Sequence, residues 1–270
     1  MKPAASPIPI RVPARPTRPW YGSGVAADPL APFRADPAGS ALMLDIDGTL
    51  APIASHPDLA AVPDETLDLV REAAARYRLV ACVSGRSLAD VRRLVPVPGL
   101  LASGNHGLEL DLGEGPRLAP EAEPWLAAMR EFAERLSAPA AAAGAWVEPK
   151  GPTLSVHWRE ARDPAATESG VLAAARPLAS ALGLLLRPGR MVLEARPPVA
   201  VHKGTAVAAL LAARPCTRSL FCGDDVTDLD GFAACDVAVA VHSPEAPVGL
   251  LEAADVVVDD GAALLRLLVT

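Results

Sequence analysis

Asp45 and Asp47, one residue apart, stand directly after the apolar run Ala41-Leu42-Met43-Leu44 and are followed by Gly48-Thr49-Leu50. The run reads as a short buried strand, so both carboxylates arrive where the chain leaves a sheet, which is where open α/β proteins place their ligands. Gly48 lets the backbone turn, and Thr49 can cap the segment after it. Packing two carboxylates at a strand end costs desolvation unless a cation or a proton occupies the gap. A carboxylate so placed suits nucleophilic attack in phosphoryl transfer. The alternative is an Asp-Gly turn beside an incidental second aspartate.

Three later segments repeat the design of a polar element closing an apolar run. Residues 79–83 end in Ser84-Gly85-Arg86, Lys203-Gly204 open a helix-like stretch to residue 213, and residues 220–222 end in Gly223-Asp224-Asp225-Val226-Thr227-Asp228. Asp-x-Asp-Gly-Thr, then Ser, then Lys, then Gly-Asp-Asp-x-x-Asp is an ordered set, and in it the chain resembles the haloacid-dehalogenase-like (HAD) phosphatases over nearly its whole length. Asp47 to Ile53, Ser84 to Arg86, Gly104 to Glu109 and Gly223 to Asp228 resemble more narrowly the trehalose-6-phosphate phosphatases.

That resemblance implies a Mg²⁺-dependent phosphomonoester hydrolase. Asp45 is the expected nucleophile, forming an aspartyl-phosphate, and Asp47 the group that protonates the leaving sugar oxygen and then activates water. Asp45, the backbone carbonyl of Asp47 and Asp224 match the family's metal ligands, with Asp225 and Asp228 further out or acting through water. The rival reading of that acidic run is a helix N-terminus, which the helix dipole favours. Ser84 and Lys203 are expected to hold phosphate oxygens, and Thr49, Gly85 and Arg86 to line the substrate site. One departure stands out: Leu229 follows Asp228 where the family usually has Glu, which bears on the surroundings of the metal.

A lid is expected to choose the substrate. Glu148, Lys150, His157 and Arg159 alternate along a predicted hairpin and can project from one face. With Glu194-Ala195-Arg196-Pro197 they resemble the cap that grips the disaccharide in this family, so Glu148, Lys150, His157, Arg159 and Glu194 are candidate sugar contacts. His157 read alone is equally a plain surface histidine. Asn105, His106 and Glu109 sit where the core leaves for the lid, either as substrate contacts or as the fixing of a hinge. The substrate implied is trehalose 6-phosphate. Another sugar phosphate (glucosylglycerol phosphate or mannosyl-3-phosphoglycerate) would use the same core, and a non-catalytic sugar-phosphate sensor would have no need of Asp45 and Asp47 together. The resemblance also suggests a functional pairing with a trehalose-phosphate synthase.

These residues need a scaffold, and the alternation of apolar runs with helical stretches supplies one. Strands are predicted at 41–45, 78–83, 100–102, 219–222, 237–241 and 255–258, and helices at 63–76, 87–94, 204–213 and 262–268. This is an α/β pattern, a doubly wound parallel sheet of Rossmann-like type, covered on both faces. Residues 112–198 break the rhythm and read twice as helix, strand, strand: helix 121–136, strands 145–150 and 153–159, helix 164–182, and a hairpin of 184–187 with 191–195 across Pro188-Gly189-Arg190. This predicts a smaller α+β cap inserted into a core of 39–111 and 199–270, the insertion point of C2 caps in the superfamily. Residues 138–143 read as a surface turn. Residues 1–38, rich in proline, alanine and arginine, read as a disordered or loosely docked arm that Trp20 and Tyr21 could pin.

Composition sets the remaining bounds. A formal charge of −7 over 270 residues argues against nucleic-acid binding. No apolar run approaches the ~20 residues that a membrane helix needs, and prolines interrupt every candidate secretion signal. Cys82, Cys216, Cys222 and Cys235 show no metal or redox spacing and fit a reducing cytoplasm. Lysine occurs only at Lys2, Lys150 and Lys203. In so arginine-rich a chain, each lysine of the folded part points to a place needing a compact ammonium.

Overall fold

In the computed structural model, which describes residues 28–270 apart from 55, 244, 245 and 248, the apolar runs become strands and the stretches between them helices. In chain order they are α1 (Ala31–Ala35), β1 (Ser40–Leu44), α2 (Asp64–Arg76), β2 (Leu79–Val83), α3 (Leu88–Leu94), β3 (Leu101–Gly104), β4 (Glu109–Asp111) and β5 (Pro116–Leu118). Then come α4 (Leu126–Ala142), β6 (Trp146–Pro149), β7 (Leu154–His157), α5 (Pro164–Leu182), β8 (Leu185–Gly189) and β9 (Val192–Arg196). The chain closes with α6 (Lys203–Ala213), β10 (Arg218–Gly223), α7 (Asp228–Ala234), β11 (Val237–Val241), α8 (Leu250–Ala253), β12 (Val256–Val258) and α9 (Gly261–Val269).

The large sheet runs β12-β11-β10-β1-β2-β3-β4-β5, parallel from β12 to β3. Order reverses between β1 and β10, because β2 and β3 build outward on one side and β11 and β12 on the other. That switch point opens a crevice at the strands' C-terminal ends. The pleat divides the core in two. Leu42 and Leu44 face α2, α3 and α9, with Val70, Val91 and Leu264. Ala41 and Met43 face α6 and α7, with Val207, Leu210 and Phe232. Each large apolar chain so buried contributes about 1.5–3 kcal/mol relative to exposure.

A second sheet, β6-β7-β9-β8, is antiparallel throughout. Leu154, Val156, Leu193 and Ala195 turn one face onto α4 and α5, meeting Met129, Phe132, Leu136 and Val171. The alternate positions Trp146, Glu148, Ser155, His157 and Glu194 fall on the other face by register. The doubly wound parallel sheet and the smaller α+β unit expected from the alternation are therefore both present.

Three expectations need correction. Residues 1–27 of the proline-rich arm lie outside the described residues, but 28–38 pack: α1 forms there, and Leu30 and Phe33 are buried against the core. The ribbon β4–β5 pairs antiparallel onto β3 and carries the large sheet past residue 112, where the inserted unit was expected to begin. Residues 138–143 are no turn, since α4 continues through Pro139 to Ala142. Alanines there have the highest helix propensity, and Leu136 and Ala140 are fully buried against the cap sheet, which holds the last turn despite the proline. Among the described residues no helix is long and apolar enough to cross a membrane.

Candidate active site

Asp45 is the first residue past β1, and its N–H still donates to the carbonyl of Cys222 in β10 (2.9 Å), so the sheet itself fixes its place. Its Oδ1 accepts from the Ile46 N–H at 2.7 Å and its Oδ2 from Lys203 Nζ at 2.8 Å. Lys203 opens α6, whose start is set by a capping box between His202 and Thr205. The same ammonium donates to Asp228 Oδ1 at 2.6 Å. Asp228 Oδ2 accepts from the N–H groups of Asp224 and Asp225, both at 2.9 Å, which folds the acidic loop around the carboxylate. Gly223 makes this possible: a Cβ there would lie 2.2 Å from Asp228 Cγ.

Burial governs the charges here. It opposes ionisation of Lys203, but Asp228 and Asp45 more than offset it and hold the ammonium charged above its ordinary range. Burial also drives the Asp45 carboxyl well up, with Lys203 opposing and Asp228 and Asp224 adding to the rise. Asp224 is pushed up to about 7 by burial and by the Asp228 carboxylate, with Lys203 opposing.

One carboxylate oxygen each from Asp45, Asp224 and Asp228 lies within 4.8 Å of the others. Asp224 Oδ1 is buried without a hydrogen-bond partner. A hard oxygen-ligand cation fits this set: it would supply the partner that Asp224 lacks and offset the burial and the repulsion that raise its pKa. Asp228 accepts three hydrogen bonds and Asp45 one on each oxygen, so Asp224 is the least engaged of the three. Gly48, in the left-handed region with φ 74°, presses close to Asp224, and a Cβ there would lie 2.0 Å from Asp224 Oδ2. Asp225 is exposed, its Oδ1 accepts from Val226 N–H, and it stands outside the cluster.

Asp47 is gripped by Arg86 through two parallel bonds, Nε to Oδ2 at 2.6 Å and Nη2 to Oδ1 at 2.7 Å. Burial works against the Arg86 charge, but Asp47, with Asp90 and Glu148 further off, holds the guanidinium firmly protonated. Arg86 was expected to meet substrate; it meets Asp47 instead. Ser84 is buried, and its Oγ accepts the Arg86 N–H at 3.3 Å. Thr49 is buried with its Oγ1 unpartnered.

From the cap, Lys150 Nζ donates to the Gly85 carbonyl at 3.2 Å and lies 3.8 Å from Glu194. His106 Nε2 lies 3.2 Å from Glu194, and Arg196 Nε lies 3.9 Å from it. Burial opposes the Glu194 charge, yet His106, Lys150 and Arg196 together draw its pKa down to about 2. Burial at the same time pulls His106 toward its neutral form, so the standing counter-charges are Lys150 and Arg196. The His106 ring lies over Gly85, where a Cβ would come within 2.5 Å of Nε2.

Asn105 belongs to the hinge. Its Nδ2 donates to Glu109 (2.7 Å) and to the Lys150 carbonyl (2.9 Å), and its Oδ1 accepts from Thr153 Oγ1 (2.5 Å). Glu109 also accepts the Leu88 N–H at 2.7 Å. Asn105 ties core to cap, while Glu109 holds Asn105 and the start of α3 within the core. Glu148 pairs with His157 at 2.7 Å on the open face of the cap sheet. Arg159 is exposed and donates to the Arg190 carbonyl at 3.3 Å, past the end of β7, so it does not join this group.

Sequence reasoning left Arg196, Ser155, Trp146 and His56 out of the site. Strand alternation places Trp146 and Ser155 on the face of Glu148 and His157, and Arg196 two residues past Glu194, so the periodicity carried a signal for these three. His56 reaches Trp146 only through the tertiary fold: their rings stack at 4.6 Å and 17°.

The sequence model of the family described as Trehalose-phosphatase matches residues 43–246. A Mycobacterium tuberculosis protein named as an uncharacterized glycosyl hydrolase is 38% identical over 205 residues, covering 72% of this chain and 15% of that protein. The trehalose-phosphate phosphatase of the same organism is 35% identical over 202 residues, covering 71% of this chain and 50% of that enzyme. This chain thus spans about half, or less, of the curated relatives it matches. The crystal structure of a trehalose-6-phosphate phosphatase related protein superposes with a TM-score of 0.70 at 22% identity, covering 84% of this chain and 94% of that one, a likeness of fold.

Proposed function

The chain belongs to the trehalose-phosphatase family of the HAD superfamily, and from that membership we propose that it hydrolyses trehalose 6-phosphate to trehalose and phosphate. The observation that carries the proposal is the placement of Asp45, clamped between Lys203 and the Ile46 N–H beside the unpartnered oxygen of Asp224, beneath a cap that presents Lys150 and Glu194.

Asp45 attacks phosphorus in line with the scissile bond. The P–O bond to the sugar breaks, Asp47, released from Arg86 in its protonated form, gives its proton to the leaving oxygen, and an aspartyl-phosphate remains on Asp45. Asp47 then takes a proton from the water that attacks the same phosphorus, and Asp45 leaves as carboxylate. Asp45, Asp224 and the Asp47 carbonyl would hold Mg²⁺, with Asp228 organising the loop behind them. Bound there, the ion screens the nucleophile from the phosphate dianion, a repulsion of roughly 4 kcal/mol per unit-charge pair at about 4 Å and an effective dielectric near 20. Lys203 and Ser84 neutralise and orient phosphate oxygens. Of the cap candidates, Glu148, Lys150 and Glu194 are retained as the sugar contacts and Arg196 joins them, while Arg159 is set aside.

A trehalose-phosphate synthase is the activity that would supply the substrate. The cytoplasm is the proposed compartment, in keeping with the free thiols of Cys82, Cys216 and Cys222. The test is phosphate release with Mg²⁺ across trehalose 6-phosphate, glucose 6-phosphate, sucrose 6-phosphate, glucosylglycerol phosphate and mannosyl-3-phosphoglycerate. Clear preference for the first supports the reading. Preference for another member keeps the core chemistry and overturns the cap assignment, and no metal-dependent release from any member leaves the sensor reading.

A further inference from the structure

Trp146 of the cap strand β6 is covered on both faces by imidazoles. His157 of β7 stacks on one side at 4.4 Å and 21°, and its Nε2 is in turn held by Glu148 at 2.7 Å. His56 stacks on the other at 4.6 Å and 17°, and His56 belongs to the core. It caps the 3-10 turn Pro57–Leu59, its Nδ1 accepting the Asp58 N–H at 3.2 Å. The same turn is fastened from beneath by Arg86, whose Nη1 donates to the Pro57 carbonyl at 3.2 Å. Arg86's other nitrogens, Nε and Nη2, hold the two oxygens of Asp47.

These contacts form one physical chain from the cap to a catalytic carboxylate: Glu148, His157, Trp146, His56, the Pro57 carbonyl, Arg86, Asp47. The His56–Trp146 stack is its aromatic link across the two units. A tryptophan with both faces covered also offers no face on which a pyranose could stack.

We propose that His56 and Trp146 are positioning residues of the reaction: their stack seats the cap on the core and, through the Pro57 turn and Arg86, sets the Asp47 carboxyl for its work on the leaving sugar oxygen. The catalytic half of this proposal rests on the phosphatase reading above, whereas the seating of the cap does not. An aromatic pair of this geometry contributes enough that its loss should cost roughly five- to tenfold. Coupling through Arg86 matters most where the leaving oxygen needs a proton, because the water-activating step that Asp47 also serves is common to every substrate. A sugar alkoxide needs one, and p-nitrophenolate, a good leaving group, does not.

Two substitutions separate the ring from its other task. His56→Phe keeps an aromatic face for Trp146 and gives up the turn cap, while His56→Asn keeps an acceptor for the Asp58 N–H and gives up the stack. Small-angle scattering of the free protein should find wild type and His56→Phe alike and His56→Asn larger in radius of gyration. With trehalose 6-phosphate, kcat of His56→Asn should fall roughly five- to tenfold, with p-nitrophenyl phosphate turnover falling by less and His56→Phe close to wild type. Added to Trp146→Leu, His56→Asn should cost nothing further, as expected for partners in one contact. The proposal is overturned if His56→Asn matches wild type in kcat, whatever its scattering, or if His56→Phe and His56→Asn are equally impaired. Should the wild-type protein release phosphate from no sugar phosphate, the phosphatase reading has failed, and the scattering comparison alone decides whether the stack seats the cap.

Discussion

The surroundings leave the charge of Asp224 poorly compensated: one oxygen has no partner, and burial with Asp228 nearby pushes its pKa up to about 7 from 3.8. Between those values the folded protein binds more protons at this residue than the unfolded chain does. Linkage then makes stability fall as pH climbs through that window. Asp45 shifts in the same direction and adds to the fall. Metal-free protein in EDTA should therefore lose melting temperature from pH 5 to pH 8. Millimolar Mg²⁺ should recover much of that loss at pH 8 and little at pH 5, where protons compete for the same oxygens. A magnesium effect on melting that does not depend on pH would contradict this account of Asp224. The order of Asp45, Asp47, Lys203 and Asp224 along the chain was enough to nominate them, since the aspartates follow apolar strands at the same end of the sheet and Lys203 opens a helix. What Arg86 does with Asp47 was not legible, because the two are 39 residues apart in sequence and meet only where β2 lies beside β1.

At the scale of elements, the site depends on two close approaches that no side chain could share. Gly48 carries a positive φ where the β1 exit turns back, and Asp224 occupies the space a Cβ would need. Gly223 gives up its Cβ to the Asp228 carboxylate in the same way. Gly48→Ala should cost about 1–2 kcal/mol of backbone strain and displace the Asp224 carboxylate. The expected outcome is a folded protein by circular dichroism whose magnesium affinity, measured by calorimetry, and turnover both drop at least tenfold. Unchanged magnesium binding would count against Asp224 as a ligand. Strands were readable where both faces are buried and the apolar run is continuous, as in β1, β2 and β10. The ribbon β4–β5 was not, because its strands are three residues long and half-exposed, so their pairing comes from the edge that β3 offers rather than from their own pattern. The helix through Pro139 was missed for the complementary reason, since burial of Leu136 and Ala140 outweighs a local breaker.

At the scale of the whole molecule, function depends on how the cap sits over the sheet's open edge, and Asn105 is the polar joint. It bonds Glu109 on the core side and the Lys150 carbonyl and Thr153 on the cap side. Its backbone sits in the left-handed region that asparagine tolerates better than most residues. Asn105→Ala leaves these buried partners unmatched at a cost of about 1–3 kcal/mol, so the melting temperature should fall by roughly 3–10 °C. The KM for sugar phosphate should rise more than kcat falls if the joint mainly places the cap. The helix–strand–strand repeat announced the inserted unit, but the contacts that join it to the core were invisible because each pairs residues far apart in the chain. Every step of the proposed reaction depends on Asp45 as the nucleophile of a phosphatase. Turnover of trehalose 6-phosphate by wild type and by Asp45→Asn, with binding of the same substrate measured by calorimetry, addresses that claim most directly. We expect Asp45→Asn to bind within a few-fold of wild type and to lose at least about a thousandfold in kcat, whereas turnover retained by the variant would contradict the assignment.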